Sequence, residues 1–138
     1  MKSFNYCSSI VAVNEGNGHF EIRRLPVMAQ LSSVNAIQFL DVNNDGILDM
    51  VAGGNQYDFL PQFERLDASF GDVLLNDGKG NFSWVDQKKT GLDVEGQVRD
   101  LAKIKTASGT EILFLRNNDF PKMYRLNLKT QMINQALR

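Results

Sequence analysis

Short apolar segments alternate with turn-forming residues along most of the chain. Residues 10–13, 34–40 and 73–75 are rich in β-branched and other apolar side chains, and Asn or Asp follows each of them. Residues 47–54, Ile-Leu-Asp-Met-Val-Ala-Gly-Gly, have the same character and end in glycine. Apolar runs of four to eight residues between turn signals are typical of β-strands, whereas amphipathic helices show a longer pattern of period 3.6. The pattern therefore predicts an all-β fold.

An internal repeat organises these predicted strands. Residues 10–20 match residues 73–82, because each segment is a short apolar strand, a Gly-x-Gly hairpin turn and an aromatic residue that opens the next strand. The match continues between parts of 34–52 and 98–114. Self-similarity of this kind indicates one structural unit used twice. We predict a single β unit over residues 1–138, with repeats at about 8–70 and 71–127 and a C-terminal tail at 128–138.

The strongest chemical signal is an acidic loop between two of the predicted strands. Oxygen-bearing side chains occupy alternate positions of residues 41–49, and a glycine follows the third of them. Calcium takes six to eight oxygen ligands, so alternate residues must turn inward while a backbone carbonyl fills a gap. We predict a Ca²⁺ site whose ligands are Asp41, Asn43, Asp45, Asp49 and the carbonyl of Ile47.

Two other interpretations of the acidic loop are an EF-hand and a plain hairpin turn. An EF-hand would need a glutamate at the twelfth position and flanking helices, but that position is Ala52 and the flanks have strand character. A plain hairpin turn would explain Asn44, Asp45 and Gly46 but not Asp41 and Asp49. Three carboxylates about 5 Å apart would repel by roughly 3 kcal/mol per pair at an effective dielectric near 20, and by about 1 kcal/mol in a fully wet loop. The sequence favours the metal site.

The second repeat lacks this chemistry. Residues 105–111, Lys-Thr-Ala-Ser-Gly-Thr-Glu, replace the acidic loop and are shorter than it. A lysine stands where the first ligand would be, so one calcium site is predicted and the second loop is expected to act as a turn.

Composition narrows the classes of function. With 138 residues, 43% of them hydrophobic and 22% charged, the chain can bury one ordinary core. A net charge of −1 gives no electrostatic indication that the chain binds nucleic acid or an anionic membrane. No apolar run reaches the roughly 20 residues of a membrane span. Residues 1–9 show no signal-peptide core. Cys7 is the single cysteine, which excludes an intramolecular disulfide, and is predicted to be half-buried in a strand.

The connection at 55–72 is the second candidate site. Long connections often carry function, and this one is rich in aromatic and polar residues. Its candidate ligand-binding residues, for a sugar or a partner chain, are Tyr57, Phe59, Arg65 and Asp67. The alternative is packing between repeats, with an Arg65–Asp67 ion pair that fixes the loop.

Catalytic chemistry has weaker support. The only histidine, His19, is expected to be a solvated turn residue. Glu64, Asp67 and Asp72 are candidates for a glycosidase carboxylate pair, but their spacing does not fix the required separation.

The motifs carry a family resemblance. The acidic loop with its apolar strand, together with Val-Leu-Leu-Asn-Asp-Gly-Lys-Gly-Asn-Phe at 73–82, resembles the FG-GAP or VCBS repeats of extracellular β-propellers, including the calcium-bearing blades of integrin-type heads. Residues 54–71, 96–100 and 117–119 resemble the C-terminal blades of secreted bacterial VCBS proteins. The resemblance covers most of 8–127. It implies propeller-type blades, an extracellular or periplasmic location, and the same five calcium ligands. The chain departs from the pattern in lacking a second calcium loop and a literal Phe-Gly…Gly-Ala-Pro signature.

A propeller raises a question of number. Propellers close with about four to eight four-stranded blades, and this chain supplies about two. The expected partners are therefore other copies of the chain or neighbouring blades of a larger one, although the two sheets could also fold together as a sandwich.

The function expected is that of a non-catalytic calcium-binding module for extracellular protein or carbohydrate interaction. The alternatives are a propeller-type hydrolase or lyase with its site on the 55–72 loop, and a self-assembling structural subunit.

Overall fold

The computed structural model describes residues 6–58, 65–107 and 109–126. Strands dominate these ranges and form three antiparallel sheets, which confirms the predicted all-β class. Two sequence predictions fall outside the described residues, namely the role of Phe59 and the C-terminal tail at 128–138.

The first sheet is a hairpin of β1 (Ile10–Gly16) and β2 (His19–Arg24). Its turn uses left-handed backbone at Gly16, Asn17 and Gly18, with φ of 89°, 51° and 77°. A short 3₁₀ helix, Val27–Gln30, follows the hairpin. The Gln30 side chain ties this helix back to the strands, since its Oε1 accepts from the Ser9 N–H at 2.7 Å and its Nε2 donates to the Ser9 and Leu25 carbonyls at 3.0 Å each.

The second sheet has four strands in simple consecutive order. They are β3 (Val34–Leu40), β4 (Asp49–Gly54), β5 (Asp72–Asn76) and β6 (Phe82–Val85). All six residues of β4 are buried, as expected for an interior strand. The acidic loop connects β3 to β4, and the 55–72 connection joins β4 to β5.

A one-turn helix leads into the third sheet. Helix α1 spans Gln87–Thr90, where Asp86 accepts from the Lys88 N–H at 2.8 Å and Gly91 ends the turn in left-handed conformation. The third sheet consists of β7 (Val98–Thr106), β8 (Gly109–Arg116) and β9 (Lys122–Arg125). Most of the segment 105–111, which was expected to be a turn, belongs to strands, because β7 continues to Thr106 and β8 begins at Gly109.

The four-stranded sheet has an apolar row on each face. Residues opposite one another on neighbouring strands share a face, whereas successive residues along a strand alternate. The register of β4, β5 and β6 therefore places one row on each side, Met50 with Leu74 and Trp84, and Val51 with Val73 and Val85.

Each row packs on a different part of the chain. Met50 and Leu74 join Leu25 and Ala29, which come from the segment after β2. The row of Val51 belongs to the larger core cluster with residues of the third sheet, including Val98 and Phe114.

An aromatic pair packs within the third sheet, and one close contact fixes the approach of this sheet to the second. Phe114 has no solvent exposure, and its ring meets Tyr124 edge to face at a centroid distance of 5.7 Å. A Cβ atom at Gly53 would lie 2.7 Å from Cγ1 of Val98, so β4 and β7 approach at a distance that only glycine allows. The interior between these two sheets is therefore closely packed.

The repeat seen in the sequence corresponds to pairs of strands. The hairpin of β1 and β2 matches that of β5 and β6, and β3–β4 matches β7–β8. The predicted boundary between the repeats, at residues 70 and 71, lies between β4 and β5, which are hydrogen-bonded neighbours. The four-stranded sheet is thus offset from the sequence repeat by two strands.

Two further findings complete the fold. Cys7 is exposed and lies before β1, so the expectation of a half-buried strand residue was wrong. Across the described ranges, no helix is long and apolar enough to cross a membrane.

Candidate functional site

The acidic loop bends sharply between β3 and β4. Asn44 and Gly46 adopt positive φ, at 61° and 85°, which lets the chain reverse within a few residues. Because of these bends, β4 begins at Asp49 and not at Ile47, where the apolar pattern had placed its start.

Side-chain oxygens of the loop accept hydrogen bonds from its own backbone. The two carboxylate oxygens of Asp41 accept from the N–H groups of Asp45 and Gly46 at 3.1 and 2.9 Å. Asn43 Oδ1 also accepts from Asp45 N–H at 3.1 Å, and Asp45 Oδ1 accepts from Ile47 N–H at 2.8 Å. The loop therefore wraps around the side chains that were predicted to be ligands.

Asp49 is the most constrained of these residues. Its side chain is 0% exposed, and its carboxylate accepts from Val42 N–H at 3.0 Å and from Asn76 N–H at 2.9 Å. Burial raises the pKa of Asp49, the two backbone hydrogen bonds oppose that rise, and the charges of Asp45 and Asp41 add to it. The fold thus keeps a carboxylate in a place where its negative charge is less favourable than in water, with two backbone N–H groups as partial compensation.

The donor chemistry of the loop fits calcium. Three carboxylates, one amide oxygen and one backbone carbonyl form an all-oxygen set, which is what a hard cation prefers. In the described ranges, no three His, Cys, Asp or Glu side chains converge closely enough to be recognised as a metal-binding group.

The turn between β5 and β6 is hydrogen-bonded to the acidic loop. Asn76, at the end of β5, donates from Nδ2 to the Leu48 carbonyl at 3.1 Å, and its Oδ1 accepts from Gly78 and Gly80 N–H groups at 3.1 and 3.2 Å. A Cβ at Gly78 would lie 3.2 Å from Cδ1 of Ile47, so the turn and the loop are in contact. Sequence reasoning interpreted Asn76 only as a hairpin residue and missed this role.

A cavity of about 400 Å³ lies beside the 55–72 connection. It contains three of the four residues predicted there to bind a ligand, Tyr57, Arg65 and Asp67, while Phe59 lies outside the described residues. The rest of its lining was not predicted, and most of it comes from the second repeat. These residues are Asn55, Phe70, Glu95, Gly96, Arg116 and Asp119.

The two arginines of the cavity are both held by carboxylates. Arg65 pairs with Asp67 at 3.1 Å and places its guanidinium 4.8 Å from the ring centre of Tyr57. The expected Arg65–Asp67 ion pair is therefore present, and because both side chains are exposed it contributes little to stability.

Arg116 is far more buried, with a side chain only 8% exposed. It contacts Asp119 at 2.6 Å and donates to the carbonyls of Phe120 and Glu95 at 2.9 and 3.1 Å. These three contacts hold the guanidinium in one position at the cavity wall.

Asn55 connects the cavity to the core and was missed by sequence reasoning. The residue is 1% exposed, and its Nδ2 donates to the Ser69 and Gly96 carbonyls at 2.7 and 2.9 Å. Its Oδ1 accepts from Ser69 N–H at 2.9 Å and from Ser32 Oγ at 2.8 Å. One amide thereby joins the segment before β3, the 55–72 connection and the segment before β7.

The candidate catalytic residues that the structure describes either make structural contacts or are exposed to solvent. Asp72 is buried and accepts from Ser69 Oγ at 2.8 Å and from Trp84 Nε1 at 2.9 Å. Asp67 pairs with Arg65, and Glu64 lies outside the described residues. The side chain of His19 is 75% exposed, as expected for a solvated residue, although His19 is the first residue of β2 and not part of the turn.

Comparison with known proteins adds no relative. No protein-family model, no curated protein and no solved structure matches the chain. The resemblance to FG-GAP and VCBS repeats therefore depends on the sequence motifs alone, and what it implies remains a proposal.

Replacing Asn55 with Asp should test the buried amide. The substitution keeps the shape and the left-handed tolerance, but it points a carboxylate oxygen at the carbonyls of Ser69 and Gly96. We expect a loss of about 3 kcal/mol or more in the free energy of unfolding, measured by urea denaturation, because the two carbonyls lose their donor and face a buried negative charge.

The matched control is Asn118→Asp. Asn118 has a similar φ of 53° but is exposed, so its substitution should change the free energy of unfolding by less than about 0.5 kcal/mol. Equal effects at the two positions would contradict the role assigned to Asn55.

Proposed function

We propose that this chain is a non-catalytic calcium-binding module of β-propeller type, which acts in protein or carbohydrate interaction outside the cytoplasm. The observation that carries the proposal is the placement of Asp49, a fully buried carboxylate at the base of an acidic loop with four more oxygen donors. The location is inferred from the family resemblance alone.

Calcium would act as a structural cation. Bound in the loop at residues 41–49, it would neutralise Asp41, Asp45 and Asp49 and relieve the electrostatic cost of burying Asp49. Since Asp49 accepts hydrogen bonds from both Val42 and Asn76, the cation would stabilise the ends of β3, β4 and β5 together. Extracellular calcium modules typically bind in the range of about 10⁻⁴–10⁻³ M.

Calcium should raise the melting temperature of the protein. At about 5 mM Ca²⁺ and the affinities above, binding to the native state adds about 1–2 kcal/mol, or roughly 3–8 °C relative to protein in excess EDTA. Magnesium at the same concentration should give a much smaller shift, because it demands octahedral geometry and dehydrates reluctantly. Differential scanning calorimetry is the measurement.

Two alanine variants separate metal binding from turn stability. Asp45→Ala removes a ligand and the hydrogen bond to Ile47 N–H, whereas Asp77→Ala removes similar turn hydrogen bonds to the Lys79 and Asn81 N–H groups at 2.8 and 3.0 Å. Both variants should melt lower in EDTA, but only Asp45→Ala should lose the response to calcium. A calcium shift that survives in Asp45→Ala would refute the assignment of the ligands.

The propeller arrangement is also a proposal. Its support is a four-stranded meander flanked by two sheets whose strands match it in sequence. Ile37 and Phe39 of β3 are both 46% exposed on the face that carries Met50, where a propeller would place the neighbouring blade. We propose that other copies of the chain supply the missing contacts.

The solution mass of the chain tests this assembly. Light scattering coupled to gel filtration should give a mass of at least twice 15.5 kDa if copies of the chain complete the structure. A folded protein that stays monomeric at millimolar concentration would exclude closure by self-assembly.

A further inference from the structure

We propose that the cavity between the 55–72 connection and the end of β8 binds a neutral saccharide of one or two sugar rings. The inference deepens the interaction role proposed for the module and names its ligand class. It concerns residues that are separate from the calcium loop.

The cavity is built from two distant parts of the chain. Tyr57, Arg65, Asp67 and Phe70 come from the connection between β4 and β5, whereas Arg116 ends β8 and Asp119 lies in the turn after it. Its volume of about 400 Å³ lies in the range of small-molecule sites.

Part of the wall is held rigidly. Arg116 is nine-tenths buried, with its Nε and Nη1 groups engaged by Phe120, Glu95 and Asp119. The carbonyl of Gly96 is fixed by Nδ2 of Asn55 at 2.9 Å. A preorganised wall lowers the entropy cost of binding, which favours recognition of a weakly bound ligand such as a sugar.

The charges of the cavity argue against an anionic ligand. Among the described residues of the lining, the basic side chains are Arg65 and Arg116 and the acidic ones are Asp67, Glu95 and Asp119, which gives these residues a formal charge of −1. Each guanidinium is already paired with a carboxylate. A phosphate or a uronic acid would meet this excess of negative charge and would have to displace one of the pairs.

The same pairs suit hydroxyl groups. A sugar hydroxyl both donates and accepts, so neighbouring hydroxyls can donate to a carboxylate and accept from the guanidinium beside it without breaking the ion pair. Within the described chain, Arg116 uses Nε and Nη1 for its contacts, which leaves Nη2 as a donor for the ligand. Phe70 adds aromatic surface for the apolar face of a sugar ring.

A disaccharide panel followed by NMR tests the proposal. The probes are cellobiose, maltose and N,N′-diacetylchitobiose as neutral ligands, with galacturonic acid and inorganic phosphate as anionic ones. We expect at least one neutral disaccharide to shift the amide signal of Gly96 and the side-chain signals of Arg65 and Arg116 in a saturable way. The anionic probes should bind at least ten-fold more weakly.

Variants that preserve the fold locate the site. Asp67→Asn with Glu95→Gln keeps the side-chain shapes of two exposed residues and should weaken the neutral disaccharide at least ten-fold. Glu15→Gln, in the β1–β2 hairpin outside the cavity, should leave affinity unchanged. Equal affinity in the double variant, tighter binding of an anion, or no response to any neutral probe would overturn the proposal.

The calcium proposal can fail separately. Saccharide binding is measured on the native chain and on Asp45→Ala, in EDTA and in calcium, at a temperature where both are folded. Binding without any calcium response supports the cavity and refutes the metal role, whereas a calcium response without saccharide binding does the reverse.

Discussion

The buried carboxylate of Asp49 determines how the middle of this structure is held together. Asp49 is the first residue of β4, an interior strand of the four-stranded sheet. Its carboxylate accepts hydrogen bonds from the N–H of Val42, just after β3, and from the N–H of Asn76, at the end of β5. A charged group in such a place is costly unless it is fully hydrogen-bonded or close to a cation. The surrounding loop supplies the oxygen donors of the calcium site that we propose.

From Asp49 the contacts continue into the first sheet. Asn76 joins the loop to the β5–β6 turn, and Arg23 of β2 reaches that turn through the Lys79 carbonyl and through Asn81 Oδ1 at 3.2 Å. A Cβ at Gly80 would lie 2.7 Å from Cγ2 of Val13, so β1 packs directly on the same turn. Stabilising the loop at 41–49 would therefore stabilise the contact between the first and second sheets.

Sequence reasoning identified what depends on local pattern. Strand character and the hairpin turns follow from side-chain alternation and turn residues, and the structure confirms the all-β class. It misplaced the start of β4, because the hydrogen bond from Ile47 N–H to Asp45 keeps Ile47 in the loop. The roles of Asn55 and Arg116 could not be predicted from the sequence. Asn55 donates a hydrogen bond to Gly96 and Arg116 donates one to Glu95, and the two residues of each pair are far apart in the sequence. Long-range contacts of this kind leave no local signature.

Direct titration with calcium tests the central claim most simply. Chelator-stripped protein is titrated with Ca²⁺ by isothermal calorimetry at a protein concentration near the expected dissociation constant. The account predicts one calcium ion per chain, because only the loop at 41–49 has the donor set and the equivalent turn at 105–111 does not. A stoichiometry of zero would reduce the loop to a hydrogen-bonded turn, and a stoichiometry of two would contradict the claim that the chain has a single calcium site.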